Sequence, residues 1–347
     1  MAVTVAVDAG GADLGPAEVA AGAAIAAARG VRVLLFGPAG EFGPPAAGVE
    51  IVDAPVSIAK AEDPARAARS TPESSIVQAA RAVAAGDADA LVSGGSTGAA
   101  LAAGLFEIRR APGIYRPALA MAVPVPGNPV TLLDVGANTE VRAEHLVQFA
   151  FMGAALAAPV LGVERPRVAL LANGSEASKG TPAIVEAHAT LAARGSQSAL
   201  LDFVGNVEGT DLTTGVADVI VTDGFTGNVA IKLMEGVSQT ILAAVREAAL
   251  STPRSKLGGA LLRPALGGLR ADLDPEAHGG AYLLGLRRLG VVPHGRFSRR
   301  GIAQAILLAA RGVEGDVVAR THAALEASGA LRTRPPASGP AATVPGA

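Results

Sequence analysis

Hydrophobic positions along this chain follow two alternating rhythms. Short unbroken apolar runs, VTVAVDA and VRVLLFG, bracket an alanine-rich stretch from about 16 to 29 that has the length and pattern of a helix. Runs of the first kind recur at 90–92, 130–134, 168–172, 199–204 and 219–222, most of them ending in a glycine-bearing loop. Runs without polar alternation suit strands covered on both faces, and helices between them suit parallel connections. The pattern predicts a three-layer α/β/α fold with a mostly parallel sheet over 1–330. The segment 331–347, rich in proline, alanine and glycine, is expected to be disordered because it cannot bury enough surface to offset ordering entropy.

The longest uncharged run, 146–163, contains Gln148, Gly153 and Pro159 and is short and alanine-rich for a membrane span. It is expected as a buried helix ending near Pro159. The N-terminus, MAVTVAVDAGG, lacks the basic residues of a signal peptide and reads as a first strand. Half of the 347 residues are apolar, ample for a large core. Cysteine is absent, which excludes disulfides, thiolate metal sites and a cysteine nucleophile and fits a reducing compartment. Charge is nearly balanced overall, but 250–300 holds nine Lys/Arg against three Asp/Glu, so an acidic partner becomes plausible. Two Tyr and no Trp are too few for base stacking, and no nucleic-acid partner is expected.

Four strand-loop-helix junctions carry the candidate chemistry: VSGGSTGAAL, LLDVGAN, LLANGSEASKGT and VTDGFTGN. In an open parallel sheet such loops are expected to gather at one carboxyl edge. Glycine turns there present backbone N–H groups, and a following helix N-terminus favours an anion, so phosphate is the natural guest; each loop alone is equally a tight connection. Hydroxyls and amides recur in them at Ser93, Ser96, Thr97, Asn138, Asn173, Ser175, Thr226 and Asn228. Of only four lysines, Lys179 and Lys232 fall in or just after these loops, candidates for phosphate neutralisation or surface solvation. Asp223 is a candidate proton acceptor or a turn cap. No GxxxxGK[ST], helix-opening GxGxxG or HExxH occurs, so no nucleotide, nicotinamide or metal cofactor is expected. His278 and His294, each beside glycine, are candidate acid-base groups, although a lone loop histidine is more often solvated or structural.

Taken in order, VDAGGADLGP, VSGGSTGAALA, YRPALA, LLDVGANTEVRAEHLVQFAFMG, ERPRVALLANGSEASKGT, DFVGNVEGTDL, ADVIVTDGFTGNVAIKLMEG, HGGAYLLGL and HGRFS resemble the PlsX family of acyl carrier protein:phosphate acyltransferases. The resemblance runs from about Val3 to Leu325. It implies a cytoplasmic homodimer with a core similar to isocitrate and isopropylmalate dehydrogenases, loosely associated with the membrane. The implied reaction moves a fatty acyl group from acyl carrier protein to inorganic phosphate. With Lys179, Asp223, Asn228 and Lys232 as catalytic candidates, the matched motifs supply a substrate-binding set. It comprises Asp8, Gly11, Ser93, Gly95, Ser96, Thr97, Gly98, Asn138, Asn173, Gly174, Asn206, Gly224, Thr226, Gly227, His278 and Gly279. The chain departs from the family at AGGAD for AMGGD after Asp8, at GGSTGA for AGNTGA, at NGSEA for NIGEE, and at His278 for tyrosine. Direct attack of phosphate on a thioester needs neither ATP nor a cysteine.

Within 250–272, KLGGALLRPALGGLR places Leu257, Leu261, Leu262, Leu266 and Leu269 on one half of a helical wheel and Lys256, Arg263 and Arg270 on the other. Pro264 and four glycines predict two short helices with a kink. This segment is a candidate membrane contact or dimer element. Arg287 and Arg288 add to a candidate patch for an acidic carrier. Two other functions fit parts of the pattern: a metal- and nicotinamide-dependent dehydrogenase of the same fold group, and a membrane-surface module binding acyl carrier protein without catalysis.

Overall fold

The computed structural model describes residues 2–332 apart from 124, 126–128 and 196–197, so all but the first two residues of the expected tail lie outside it. Among the described residues eleven strands form one sheet. They are β1 (Thr4–Asp8), β2 (Arg32–Gly37), β3 (Val49–Asp53), β4 (Ala90–Ser93), β5 (Ala118–Val123), β6 (Val130–Leu133), β7 (Arg167–Leu171), β8 (Asp202–Val207), β9 (Val219–Val221), β10 (Ala281–Leu284) and β11 (Leu289–Val292). The spatial order is β3-β2-β1-β4-β11-β10-β5-β6-β9-β7-β8. Central strands such as β1, β4 and β6 are buried along their whole length, which is why they read as unbroken apolar runs. The edge strands β3 and β8 are only partly covered.

Helices form a layer on each face. Pro16–Ala27, Ala143–Leu161, Pro182–Gly195, Arg299–Glu314 and Val317–Ala327 pack together over one core, whose largest buried side chains include Phe149, Phe151 and Met152. The helices Pro64–Ser70, Ser75–Ala85, Thr97–Ala103 and the first turns of Gly224–Leu250 cover the other face. The apolar helix Ala143–Leu161 is a core helix, with 67% of its most apolar window buried. Pro159 lies inside its last turn, where only one backbone bond is forfeited, and the left-handed Gly162 closes it.

The sheet is not of one sense. Seven neighbouring pairs are parallel, but β11/β10, β10/β5 and β5/β6 are antiparallel. Three reversals leave β3, β2, β1, β4 and β11 pointing one way and β6, β9, β7 and β8 the other. The four glycine loops therefore do not share a carboxyl edge, contrary to the expectation for an open parallel sheet. The loops after β1, β4 and β11 lie at one edge, and those after β6, β7 and β9 at the opposite edge. Nothing in the local pattern of β5, β10 and β11 announces the reversal: AYLL and LGVV are four-residue apolar pieces in a glycine-rich segment.

Gly224–Leu250 and Pro253–Asp272 make a helical hairpin, and the second helix runs unbroken through Pro264 where two short helices were expected. Its start is well fixed, with Pro253 in the first turn and the Thr252 hydroxyl accepting from Ser255 N at 3.0 Å. Pro264 removes one backbone donor from a helix otherwise carried by its neighbours. Leu261 and Leu262 are exposed by 77% and 57% and Leu266 is half-buried, while Arg263 and Arg270 are exposed.

Candidate active site

Two buried carboxylates organise the loops, one at each edge. At the first edge, Asp8 ends β1 and is almost fully buried. Its Oδ1 accepts from the Ser75 hydroxyl at 2.6 Å and Gly10 N at 3.0 Å, and its Oδ2 from the Ser93 hydroxyl at 2.7 Å. The Ser93 oxygen in turn accepts from Gly95 N at 3.3 Å. Burial pushes the Asp8 pKa up against these three hydrogen bonds. One carboxylate thus ties the loop after β1 to the loop after β4. The loops touch backbone to backbone: a methyl group on Gly11 would stand 2.7 Å from the Gly95 Cα.

At the second edge, Asp134 follows β6 and is completely buried. Its carboxylate accepts from the backbone N–H groups of Leu119, Gly136, Ala137 and Asn138 and from the Asn138 side-chain amide, all within 2.8–3.1 Å. Here too burial raises the pKa and the donors oppose it. The Gly224–Leu250 helix begins directly on this loop. Gly224 N donates to Asn138 O at 2.7 Å, and a Cβ on Gly227 would lie 1.9 Å from the Asp134 carbonyl oxygen. The glycines of TDGFTGN therefore let a helix seat on a carboxylate-centred loop. Asp223 caps that helix, accepting from Thr226 N at 2.8 Å and the Thr226 hydroxyl at 2.7 Å.

The helix then runs from the second edge toward the first. Asn228 donates to Val135 O at 3.2 Å, and one turn later Lys232 Nζ lies 3.0 Å from His294 Nε2, beyond β11. At about 1.5 Å per residue, the step from Asn228 to Glu235 is roughly 10 Å, comparable to the four-residue strands beneath it. Between helix and sheet lies a cavity of about 390 Å³ whose lining includes Gly11, Gly95, Asn228, Lys232 and His294. Its titratable lining residues are Asp13, Lys60, Lys232, Glu235 and His294. Glu235 pairs with Arg296 at 3.0 Å. His294 is pushed below the ordinary imidazole range, first by burial and then by Lys232 and Arg296. A protonated Lys232 can only donate, so the neutral ring accepts at Nε2 and carries its proton on Nδ1.

The structure sorts the sequence candidates into four groups. Gly11, Gly95, Ser96, Thr97, Asn228 and Lys232 line the cavity. Ser96 also caps the short helix after it through Ala99 N at 3.1 Å. Asp8, Ser93, Asn138, Asp223, Gly224, Thr226 and Gly227 hold loops and helix starts in place through the contacts above, and the Asn138 amide further donates to Pro117 O at 2.8 Å. Gly98 packs on Pro64.

A third group sits apart from the cavity, beyond β7 and β8 or on the late glycine turn. Lys179 and Asn173 are exposed on the loop after β7, Gly174 packs on the Lys179 side chain, and Asn206 donates to Glu176 O at 2.9 Å. These four are not brought to Lys232, because β7 and β8 end the half of the sheet farthest from β4. His278 is outside the lining, with a buried Nε2 that has no hydrogen-bond partner among the described residues. Gly279 has φ +80°, and a Cβ there would meet Gln304 O at 2.6 Å, so its role is backbone fit. In the last group, Arg287 and Arg288 at the β10–β11 turn line a separate cavity of about 330 Å³ with Asp89, Asp316 and His322. Lys60, Asp13 and Glu235 were missed: Lys60 and Glu235 lie outside the glycine loops, and Asp13 belongs to the AGGAD turn after β1 but was not singled out as a site residue.

A sequence model of the family described as "Fatty acid synthesis protein" matches residues 3–320. The phosphate acyltransferase of Geobacillus sp. (strain WCH70) is 41% identical over 328 residues, covering 93% of this chain and 98% of the relative. Among solved structures, a phosphotransacetylase from Streptococcus pyogenes superposes with a TM-score of 0.60 at 16% identity, covering 90% of this chain and 94% of that one. A 4-hydroxythreonine-4-phosphate dehydrogenase from Klebsiella pneumoniae does so with a TM-score of 0.52 at 14% identity, covering 90% and 98%. Such distant likenesses establish a shared α/β fold.

The two carboxylate nodes give two expected outcomes. Gly227→Ala forces the helix off the Asp134 loop and costs about 3 kcal/mol, the upper end for overpacking, read as a lowered urea midpoint. A Gly236→Ala control, with open space around its Cβ, does not destabilise. For Asp8 the raised native pKa means the folded state holds a proton that the unfolded state has released. Stability therefore falls as pH rises from about 4 toward the native value, and Asp8→Asn removes that part of the slope. Urea midpoints of both proteins across this range check the difference.

Proposed function

This chain belongs to the phosphate acyltransferase family, and from that membership we propose that it transfers a fatty acyl group from acyl carrier protein to inorganic phosphate. The product is an acyl phosphate suited to phospholipid synthesis. The observation that supports this reaction is the cavity itself, which joins two glycine turns, Gly11 and Gly95, to Lys60, Lys232 and the Asn228 amide. Cations with nearby backbone N–H groups suit a small dianion. A phosphate oxygen attacks the thioester carbonyl carbon, a C–O bond forms, the C–S bond breaks, and the carrier sulfur leaves as thiolate and takes a proton. The chain must hold the two reactants close and stabilise charge on the carbonyl oxygen.

In this assignment Lys232 is the principal cation. His294 fixes it by accepting at Nε2, so the ammonium stays aimed into the cavity. Asp223 and the Asp134 loop act as positioning groups, setting where the helix starts and hence where Asn228 and Lys232 stand. Lys179 has no contact with this cavity and is assigned no part in the chemistry. Homodimerisation and loose contact with the cytoplasmic membrane face remain part of the proposal, supported by the exposed leucines and basic residues of the hairpin. A nicotinamide-dependent oxidation finds no comparable support in the geometry: the lining pairs lysines with glycine turns.

Mixing the protein with long-chain acyl carrier protein tests the assignment. Free carrier thiol is expected only when phosphate is added, without ATP or nicotinamide. Lys232→Ala lowers turnover about a hundredfold, the loss typical of removing one positioned charge or donor at the reacting centre. Lys179→Ala stays within about twofold, as for a solvated surface charge. Release of thiol without phosphate, or the reverse ranking of the two lysines, contradicts the proposal.

A further inference from the structure

We propose that the acyl chain of the substrate lies in a mainly apolar slot that adjoins the cavity along the Gly224–Leu250 helix, and that the length of this slot selects the chain. Resting on the acyltransferase assignment above, the slot gives that assignment a chain-length rule.

The slot holds about 60 Å³ and is formed by Met121 and Val123 of β5, by Leu273 and Pro275, and by one face of the helix. A water needs about 10–15 Å³, so the slot has room for only a few water-sized groups and is narrow. It shares Met121, Ile231, Glu235 and Pro275 with the polar cavity, so the two spaces adjoin at these residues. Along the helix the lining residues are Ile231, Met234, Glu235, Ser238, Gln239 and Leu242, spaced as a single stripe. Beside Asn228 and Lys232 of the cavity the helix carries Ile231, Met234 and Leu242, and these join Met121, Val123, Leu273 and Pro275 to make the slot mainly apolar, with Glu235, Ser238 and Gln239 as its polar members. The Glu235–Arg296 pair marks the boundary.

A helix face at this spacing ordinarily closes against a sheet as core. This one does not close: Met234, Ser238 and Leu242 are only half-buried, although Val123 beneath them is fully covered. From Ile231 to Leu242 the helix rises about 16 Å, a length useless to a two-carbon acyl group and matched to a long saturated chain. A carbonyl carbon placed beside Lys232 directs its chain away from the glycine turns, and the slot is the apolar exit that the same helix lines.

Titration calorimetry with saturated fatty acids of increasing length tests the slot without requiring turnover. Wild-type affinity is expected to rise about fourfold per methylene, the increment for burying one CH₂, until the slot is full. Ser238→Phe ends that rise at a short chain and Leu242→Phe at a longer one, because Ser238 is nearer the cavity; circular dichroism checks that both fold. An affinity independent of length, or equal cut-offs for the two variants, overturns the proposal. Phosphate-dependent thiol release from the matching carrier thioesters is measured alongside. Ordered cut-offs in binding without turnover leave the slot standing and remove the acyltransferase assignment. Turnover with no break in length dependence does the opposite.

Discussion

Three antiparallel pairings at the middle of the sheet decide where this protein can do chemistry. Because β11/β10, β10/β5 and β5/β6 each reverse direction, the two parallel halves present their carboxyl ends at opposite edges. A ligand held by loops from the β1 half alone would meet the glycine turns, Asp13, Lys60 and His294 but neither Asn228 nor Lys232. The Gly224–Leu250 helix removes that separation by starting at one edge and carrying Asn228 and Lys232 back across the sheet to the Gly11 and Gly95 turns. Central strands of only four residues keep the crossing short.

Seating that helix is the task of Asp134. A completely buried carboxylate is costly unless donors surround it, and five N–H groups do so here. Each donor fixes a piece of the loop on which Gly224 and Gly227 rest. Asp8 performs the matching task at the other edge, joining the turns after β1 and β4 through Ser75 and Ser93. Both carboxylates stand apart from the solvent-facing lysines, so positioning and charge handling fall to different residues. The division explains why motif residues outnumber the side chains that reach the cavity.

Much of this was legible in the chain. Fully buried strands reveal themselves as continuous apolar runs, and β1, β2, β4, β6, β7 and β9 fall within a residue or two of where those runs lie. Gly95, Ser96, Thr97, Asn228 and Lys232 were legible because a glycine turn after a strand is a local signal, and Gly11 through the resemblance carried by VDAGGADLGP. The reversal was not, since strand direction depends on which runs pair. That omission makes Lys179 look equivalent to Lys232: both follow a strand and a glycine loop at the same edge, yet the helix after β9 crosses back toward β4, whereas the helix after β7 packs on the opposite face. Lys60 was invisible for the converse reason, being in an irregular segment that only tertiary contact brings to the cavity. Pro264 misled in a third way, because helix propensity is a weak term beside a well-capped start and a partner helix.

The claim that phosphate is held between the two halves of the sheet is tested most directly by lysine footprinting. The protein is acetylated briefly with and without inorganic phosphate, and modification at each of its four lysines is read by mass spectrometry. Phosphate is expected to protect Lys60 and Lys232 together and to leave Lys179 and Lys256 as reactive as before. Protection of Lys179 with Lys232 unchanged would place the anion on the loop after β7 and contradict the account.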